Sequence, residues 1–446
     1  MTVSRSICLG FLAVIAVGTL LLMLPLSTTE QGWDWNTVIV ALFTATSAVC
    51  VTGHAVVDTG TYFSGPGQFF IVALVQIGGL GYMTATTFLL LLLGRKFKLR
   101  DKIAVQQALD RGEMQGAKQV IRSIIATTLI FEITGIFLLL VVFVPDYGWG
   151  HGLWLSIFHS VSAWNNAGFS LFPKNLIGYQ SSLLLNLVIT GLIVLGGIGY
   201  EVIFELYLWS RDRLFKFPER VCFSLNFKVA VSTTLMLLGI GTLAFFFVEL
   251  PNPHTLGSMD MGTRWLAAWF QAVTPRTAGF NTIEIGKMTT AGLFITIALM
   301  FIGGSPGGTA GGIKTTTLRV LTSCTKTILQ GKEEVHLYER EVPISLILKA
   351  VGVLVGSFAT VIIMTILISL SDRHFDFIRL LFEVVSAFGT VGLSTGITAE
   401  LSLFAKLVLV VTMYIGRVGV LLLMASILGD PKPSSVRYPE ENLLVG

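Results

Sequence analysis

The chain has 446 residues and a net charge of +4, from 30 Lys and Arg against 26 Asp and Glu. Only 13% of it is charged and 53% is apolar, with a mean hydropathy of +0.78, where a soluble domain carries about 25% charge. Too few polar side chains exist to coat a water-soluble fold, which excludes a secreted disulfide scaffold, a nucleic-acid binder and a disordered chain, and predicts an all-α polytopic membrane protein.

The first apolar run, 7–26, follows Arg5 and reads as a spanning helix. It is longer than the apolar core of a signal peptide, and no small-residue cleavage pattern is obvious. Further long runs fall at 68–93, 123–144, 182–208, 229–248, 289–302, 344–370 and 401–428. Most reach the roughly 20 residues that cross about 30 Å of hydrocarbon. Between the runs lie shorter apolar stretches at 37–49, 152–164, 263–274 and 377–388, each long enough for about half a bilayer at 1.5 Å per residue. The predicted plan is span, half-helix, span, four times: repeat 1 at 1–94, repeat 2 at 95–209, repeat 3 at 210–331, and repeat 4 with a cytoplasmic tail at 332–446.

Of the 30 Lys and Arg, 21 lie at the termini or in 94–122, 210–228 and 319–349, and seven in the half-helix regions: Lys174, Arg264, Arg276, Lys287, Arg373, Arg379 and Lys406. The bias puts both termini in the cytoplasm and brings the half-helices in from outside. The charged, amphipathic stretch 94–118 reads as a surface helix. Lys314 and Arg417 stay inside or at the edge of the membrane.

After each half-helix comes a glycine-ended segment, and the glycines, Gly53, Gly168, Gly279 and Gly392, recur 115, 111 and 113 residues apart. A second glycine follows 25, 28, 24 and 24 residues later: Gly78, Gly196, Gly303 and Gly416. Glycines scattered through apolar helices would keep no such offset. Irregular backbone is excluded from lipid and tolerated where it lines a water-filled path. Four half-helices converging on one axis would aim their negative ends at the membrane centre, and the carbonyls beyond them can replace the water shell of a monovalent cation. Glycine permits the positive φ and close approach this needs. The predicted filter is Val51, Thr52, Gly53; Asn166, Ala167, Gly168; Thr277, Ala278, Gly279; and Thr390, Val391, Gly392. Thr52, Asn166, Thr277 and Thr390 either add side-chain oxygens or simply pack.

The sixth run meets six glycines in ten residues: Gly303, Gly304, Ser305, Pro306, Gly307, Gly308, Thr309, Ala310, Gly311 and Gly312, followed by Lys314. Helix propensity collapses there, so the helix is expected to break near mid-membrane and resume around Thr317, leaving a gating loop over 303–317. A small-residue packing face would not need six glycines and a proline. The stretch is not a phosphate-binding loop, since Ile313 separates Gly312 from Lys314 and no strand precedes it. Arg417, inside the last run, must face a cavity or a partner. Two readings stand: a gate-facing charge that repels cations, or a structural ion pair with Glu132, Glu201, Glu205 or Glu383.

At these residues the whole chain resembles the Trk/Ktr/HKT superfamily of potassium transporters. Thr390-Val391-Gly392 and the run Gly303 to Thr317 carry the likeness most strongly. One span before the first half-helix makes the chain most similar to the bacterial Ktr membrane subunits, with a weaker signal in Tyr438-Pro439-Glu440-Glu441-Asn442. The resemblance implies four pseudo-symmetric helix–pore helix–helix repeats around one pore per subunit, a homodimer in the plasma membrane and surrounded by its lipid, and a cytosolic ring of nucleotide-binding regulatory subunits. It also implies K+ at the filter as the bound and transported ion, Na+ as an activator and no covalent cofactor. Family members with Ser at the first filter position favour sodium, so Gly53 implies potassium. The alternative is a sodium or sodium/potassium transporter of the HKT kind.

The six histidines, His54, His151, His159, His254, His336 and His374, show no metal-ligand spacing. Asp58, Asp146 and Asp260 are placed at the outer mouth without a site, and Glu333-Glu334 on a solvated face. The scattered Cys8, Cys50, Cys222 and Cys324 form no disulfide framework. A secondary transporter would bind its solute at discontinuous helices in corresponding halves, whereas here one broken span is expected. An intramembrane enzyme would need a catalytic pair such as HExxH, which does not occur.

Overall fold

A helix running into a shorter re-entrant helix, then a further helix of 12 to 16 residues, is the unit that the chain lays down four times. The computed structural model describes residues 3–29, 34–81, 117–215 and 222–429. The stretch 94–118 falls almost wholly, and the motif 438–442 wholly, outside them.

The first unit comprises α1 (Val3–Leu22), the pore helix α2 (Trp35–Val49) and α3 (Gly65–Leu80). In the second, α4 (Ala117–Trp164) holds both span and pore helix, turned at Gly148 with φ 75° and ψ 172°, and is followed by α5 (Leu183–Ile198) and α6 (Tyr200–Leu214). The third has α7 (Leu225–Glu249), the pore helix α8 (Met261–Val273), α9 (Thr290–Phe301) and α10 (Thr315–Leu329). A two-residue hairpin, β1 (His336–Leu337) with β2 (Arg340–Glu341), precedes α11 (Ile344–Ser371), the pore helix α12 (Phe377–Gly389), α13 (Leu403–Val418) and α14 (Val420–Leu428). Ser4–Leu22, Ile121–Trp164, Leu225–Glu249 and Ile344–Ser371 are long and apolar enough to cross a membrane.

Lipid, not water, is the outer solvent of these spans. On α11 the buried stripe is Ala350, Ser357, Val361, Thr365 and Ile368, while Val355, Phe358, Ile362 and Ile366 are exposed. Small and hydroxyl side chains face inward, where helices approach closely, and the bulky apolar ones face out.

Several of the helices start at side-chain caps. Asp34, Ser182, Ser224, Asp260, Thr289 and Ser402 each accept a backbone N–H of the first turn they precede. One buried carboxylate ties each of the last two units closed. At the end of α7, Glu249 accepts from Thr289 N at 2.9 Å and Thr289 Oγ1 at 2.6 Å, where α9 begins. At the end of α11, Asp372 accepts from Ser402 N at 2.8 Å and Ser402 Oγ at 2.6 Å, where α13 begins.

The second helices depart from expectation. The apolar runs 182–208 and 401–428 predict continuous helices, with a break in the sixth span alone. Instead α5 and α6 meet at 102° across Gly199, and α13 and α14 at 93° across Gly419. Both glycines have positive φ, 98° and 87°, a conformation L side chains avoid. In the third unit residues 302–314 leave the helix altogether, and it resumes at Thr315. The ring of units closes where its ends meet: Arg5 Nε donates to Ser426 O at 2.7 Å and Tyr414 OH to Cys8 O at 2.9 Å.

Replacing Glu249 by Ala should cost about 1–3 kcal/mol, because it strips a buried acceptor from Thr289, Asn252 and Thr255. A melt of detergent-solubilised protein would show this as a lowered midpoint; an unchanged midpoint would mean the carboxylate does not hold α7 to α9.

Candidate ion path and its intramembrane loop

Each pore helix ends in the same backbone device. Val51, Asn166, Thr277 and Thr390 take φ of 57°, 57°, 68° and 51°, and two residues later Gly53, Gly168, Gly279 and Gly392 take 78°, 69°, 73° and 83°. The residue between, Thr52, Ala167, Ala278 or Val391, keeps the ordinary hand. In a regular strand successive carbonyls point to opposite sides; reversing the hand at every second residue turns them to one side. A left-handed non-glycine residue costs roughly 1–2 kcal/mol, and three of the four are β-branched, where that conformation is an outlier.

The surrounding bonds hold the strain. The residue between donates its N–H back to the pore helix: Thr52 to Ser47 O and Ala167 to Ser162 O at 2.7 Å, Ala278 to Thr274 O at 3.0 Å, Val391 to Ser386 O at 2.8 Å. Beyond the glycine, a pore-helix hydroxyl takes the next carbonyl: Ser162 Oγ donates to Phe169 O at 2.8 Å, Ser386 Oγ to Leu393 O at 2.7 Å, and Thr274 Oγ1 to Phe280 O.

The four segments close a ring in chain order. A methyl on Gly53 would lie 2.9 Å from Gly168 Cα, one on Gly168 would lie 2.7 Å from Ala278 O, one on Gly279 would lie 2.5 Å from Val391 O, and one on Gly392 would lie 2.8 Å from Gly53 C. All twelve residues of the segments are thereby brought together. Asn166 Nδ2 donates to Thr277 Oγ1 at 3.3 Å, while the buried Thr52 Oγ1 and Thr390 Oγ1 have no hydrogen-bond partner among the described residues.

The second glycines have a packing reason. A side chain on Gly78, Gly196 or Gly416 would run into the carbonyl oxygen of Val49, Trp164 or Phe388, in the last turn of that unit's pore helix. In these three units the near-constant offset thus reflects the distance back to the pore helix end. Gly303 breaks the pattern, because it meets Gly311 O from its own loop.

That loop docks on the broken end of α5. Ser305 N donates to Gly197 O at 2.9 Å and Thr309 N to Gly196 O at 3.1 Å, while Tyr200 N donates to Gly307 O at 3.3 Å. Internally, Gly303 N donates to Ile313 O at 2.8 Å, Thr315 N to Gly304 O at 3.1 Å and Lys314 Nζ to Ala310 O at 2.6 Å. Pro306 packs beside Gly199, Gly308 beside Gly197, Gly311 against the Thr390 side chain, and Gly312 near Gly389. The loop therefore lies against the base of the fourth segment.

Two arginines grip it. Arg417 donates to Thr309 O in the loop and to Gly78 O on α3. None of the expected carboxylates pairs with it, because each is taken: Glu132 by Asn165, Glu201 by Asn226, Glu205 by Ser224 and Glu383 by His54. Arg276 falls among the outer charges by its segment, yet it is 7% exposed and donates to Gly303 O at 3.3 Å. Pattern reading misses it because charge counting sorts residues by segment, not by depth. The available signal is its place one residue before Thr277.

The family of TrkH cation transport proteins matches residues 11–438. The chain is 41% identical to the Ktr system potassium uptake protein B of Bacillus subtilis, over 100% of this chain and 97% of that one. It is 37% identical to the protein of the same name in Vibrio alginolyticus, over 99% and 94%. To the potassium/sodium uptake protein NtpJ of Enterococcus hirae it is 36% identical, over 99% and 96%. The crystal structure of the potassium transporter TrkH from Vibrio parahaemolyticus shares the fold, with a TM-score of 0.70 and 19% identity, covering 95% of this chain and 85% of that one.

Gly196→Ala would drive a methyl into the Trp164 carbonyl. The α5–pore helix contact should then open, at a cost of about 1–3 kcal/mol typical of overpacking, seen as a lowered melting midpoint. A variant as stable as the parent would refute this reading of the second glycines.

Proposed function

The chain belongs to the TrkH family of cation transport proteins, and from that premise we propose that it is the ion-translocating subunit of a Ktr-like potassium uptake system, not an enzyme. Ions pass by electrodiffusion through the ring at Gly53, Gly168, Gly279 and Gly392. The observation that carries this reading is the alternation of backbone hand in all four segments, since it lets successive carbonyls of each face one axis. Carbonyl rings of this kind take the place of an ion's hydration shell, and the pore helices end at the ring, where their partial negative charge favours a cation. Val51, Thr52, Asn166, Ala167, Thr277, Ala278, Thr390 and Val391 supply the oxygens.

A second reading, transport of sodium as well as potassium, is favoured by the relative named a potassium/sodium uptake protein. Four glycines at the ring argue for potassium. Sodium acts as activator, and no covalent cofactor is needed. The repeats are divided at 94, 209 and 331. Both termini face the cytoplasm of a cell whose plasma membrane holds the chain, in line with the bias of Lys and Arg. The name Ktr system, borne by two relatives, supports a multi-component assembly; the partners are a second copy of this chain and a cytosolic nucleotide-binding ring.

The loop 303–314 is the gate. It rests below the fourth segment, and opening requires Gly303 O to leave Arg276 and Thr309 O to leave Arg417. Regulation reaches it through α10, which continues from the loop.

In a host lacking its own potassium uptake, the chain should restore rubidium uptake, and Gly279→Ser or Gly392→Ser should abolish it. Failure of the parent to take up rubidium would sink the proposal. Arg417→Gln should raise the uptake rate by about tenfold, since a hydrogen bond to a charged group is worth roughly 1.5–3 kcal/mol. An unchanged rate at equal membrane abundance would remove Arg417 from the gate.

A further inference from the structure

Three of the four filter segments are tied at their far end within their own repeat. There the pore-helix hydroxyl of Ser162, Thr274 or Ser386 donates to the carbonyl just past the glycine, on Phe169, Phe280 or Leu393. The first repeat has the hydroxyl, Ser47, but the buried Ser47 Oγ has no hydrogen-bond partner among the described residues. The residue after Gly53 is His54 instead of Phe or Leu, and its side chain crosses to another repeat. His54 Nε2 lies 2.8 Å from Glu383 Oε2 on α12, with both side chains fully buried. A carboxylate has no proton to give, so the imidazole donates.

The same carboxylate gathers the fourth repeat beyond its filter. Glu383 also accepts from Ser394 Oγ at 2.8 Å, Thr395 N at 2.9 Å, Thr395 Oγ1 at 3.2 Å and Thr398 Oγ1 at 2.7 Å. One buried group therefore sets the outer ends of two segments, next to Gly53 and next to Gly392. It does so at the junction between the last repeat and the first, the single junction of the ring where neighbouring repeats are not joined in sequence. That junction is tight, since a methyl on Gly392 would overlap Thr52 O, as one on Gly53 would overlap Ala167 O at the next junction.

We infer that His54 and Glu383 are a positioning pair for ion binding: they latch the first filter segment to the fourth and so set where the carbonyls around Gly53 stand. The pair touches no ion. Its effect runs through backbone position, so losing it weakens ion affinity more than it slows turnover. Breaking one partner of a buried network costs more than the pair's own worth, because the other is left unsatisfied. Both single changes then lead to the same slackened junction, and their effects do not add.

The inference rests on the proposed ion path, and the test separates the two. Rubidium uptake is measured for KM and maximal rate, alongside the rubidium concentration that half-maximally raises the melting midpoint of the purified protein, since a bound ion stabilises by mass action. His54→Leu and Glu383→Gln should each raise KM and the stabilisation midpoint about tenfold, with the maximal rate within about twofold of the parent. The double variant should be no worse than either single. His54→Gln, whose amide can donate in place of Nε2–H, should recover most of the loss. Unaltered KM and stabilisation midpoint in His54→Leu, or additive effects in the double variant, would overturn the pair. A parent that shows neither rubidium uptake nor rubidium stabilisation would overturn the ion path itself.

Discussion

A carbonyl freed inside a membrane has no water to turn to, and the interior of this protein is organised around that fact. Each second helix is interrupted or ends at the depth of the pore helix ends, and each interruption releases backbone oxygens. Four of the released oxygens have named donors: Gly196 O takes Thr309 N, Gly197 O takes Ser305 N, Gly303 O takes Arg276, and Gly78 O takes Arg417. The loop 302–314 is thus as much a satisfier of α5 as an interruption of the third repeat. A charged guanidinium is used where no loop backbone reaches. Hydrogen bonds from charged donors are stronger than neutral ones.

The pseudo-symmetry of the repeats is strict where the ring is built and relaxed beneath it. All four pore helices end in the same alternation of hand, and three of the second glycines touch their own pore helix. The third repeat substitutes its loop for that contact, and the first substitutes a histidine for a hydroxyl clamp. A ring of four identical chains could not make either change singly. One chain carrying four versions can, and both departures fall where movement or tuning would be useful.

Much of this is legible in the amino-acid order. The spacing of Gly53, Gly168, Gly279 and Gly392 places the ring, and the density of glycine around Pro306 places the loop. The bends at Gly199 and Gly419 are not legible, since one glycine in an apolar run looks the same whether it permits a turn or a close contact. The left-handed Val51, Thr277 and Thr390 leave no trace either, because β-branched residues argue for the opposite conformation. Glu383 stands out as a charge needing a partner. Depth and direction, which the sequence does not encode locally, decide that the partner is His54 and not Arg417.

The meeting of α1 with α14 through Arg5 and Ser426 gives the molecule a cyclic character. The first and last described helices are neighbours, although α14 buries none of its residues. Ends of the described chain that lie together, as Arg5 and Ser426 do, can be joined through what flanks them and the chain reopened elsewhere. In such a permuted chain the order of synthesis would change while every neighbour relation around the axis stayed the same, so the architecture belongs to the circle and not to its starting point.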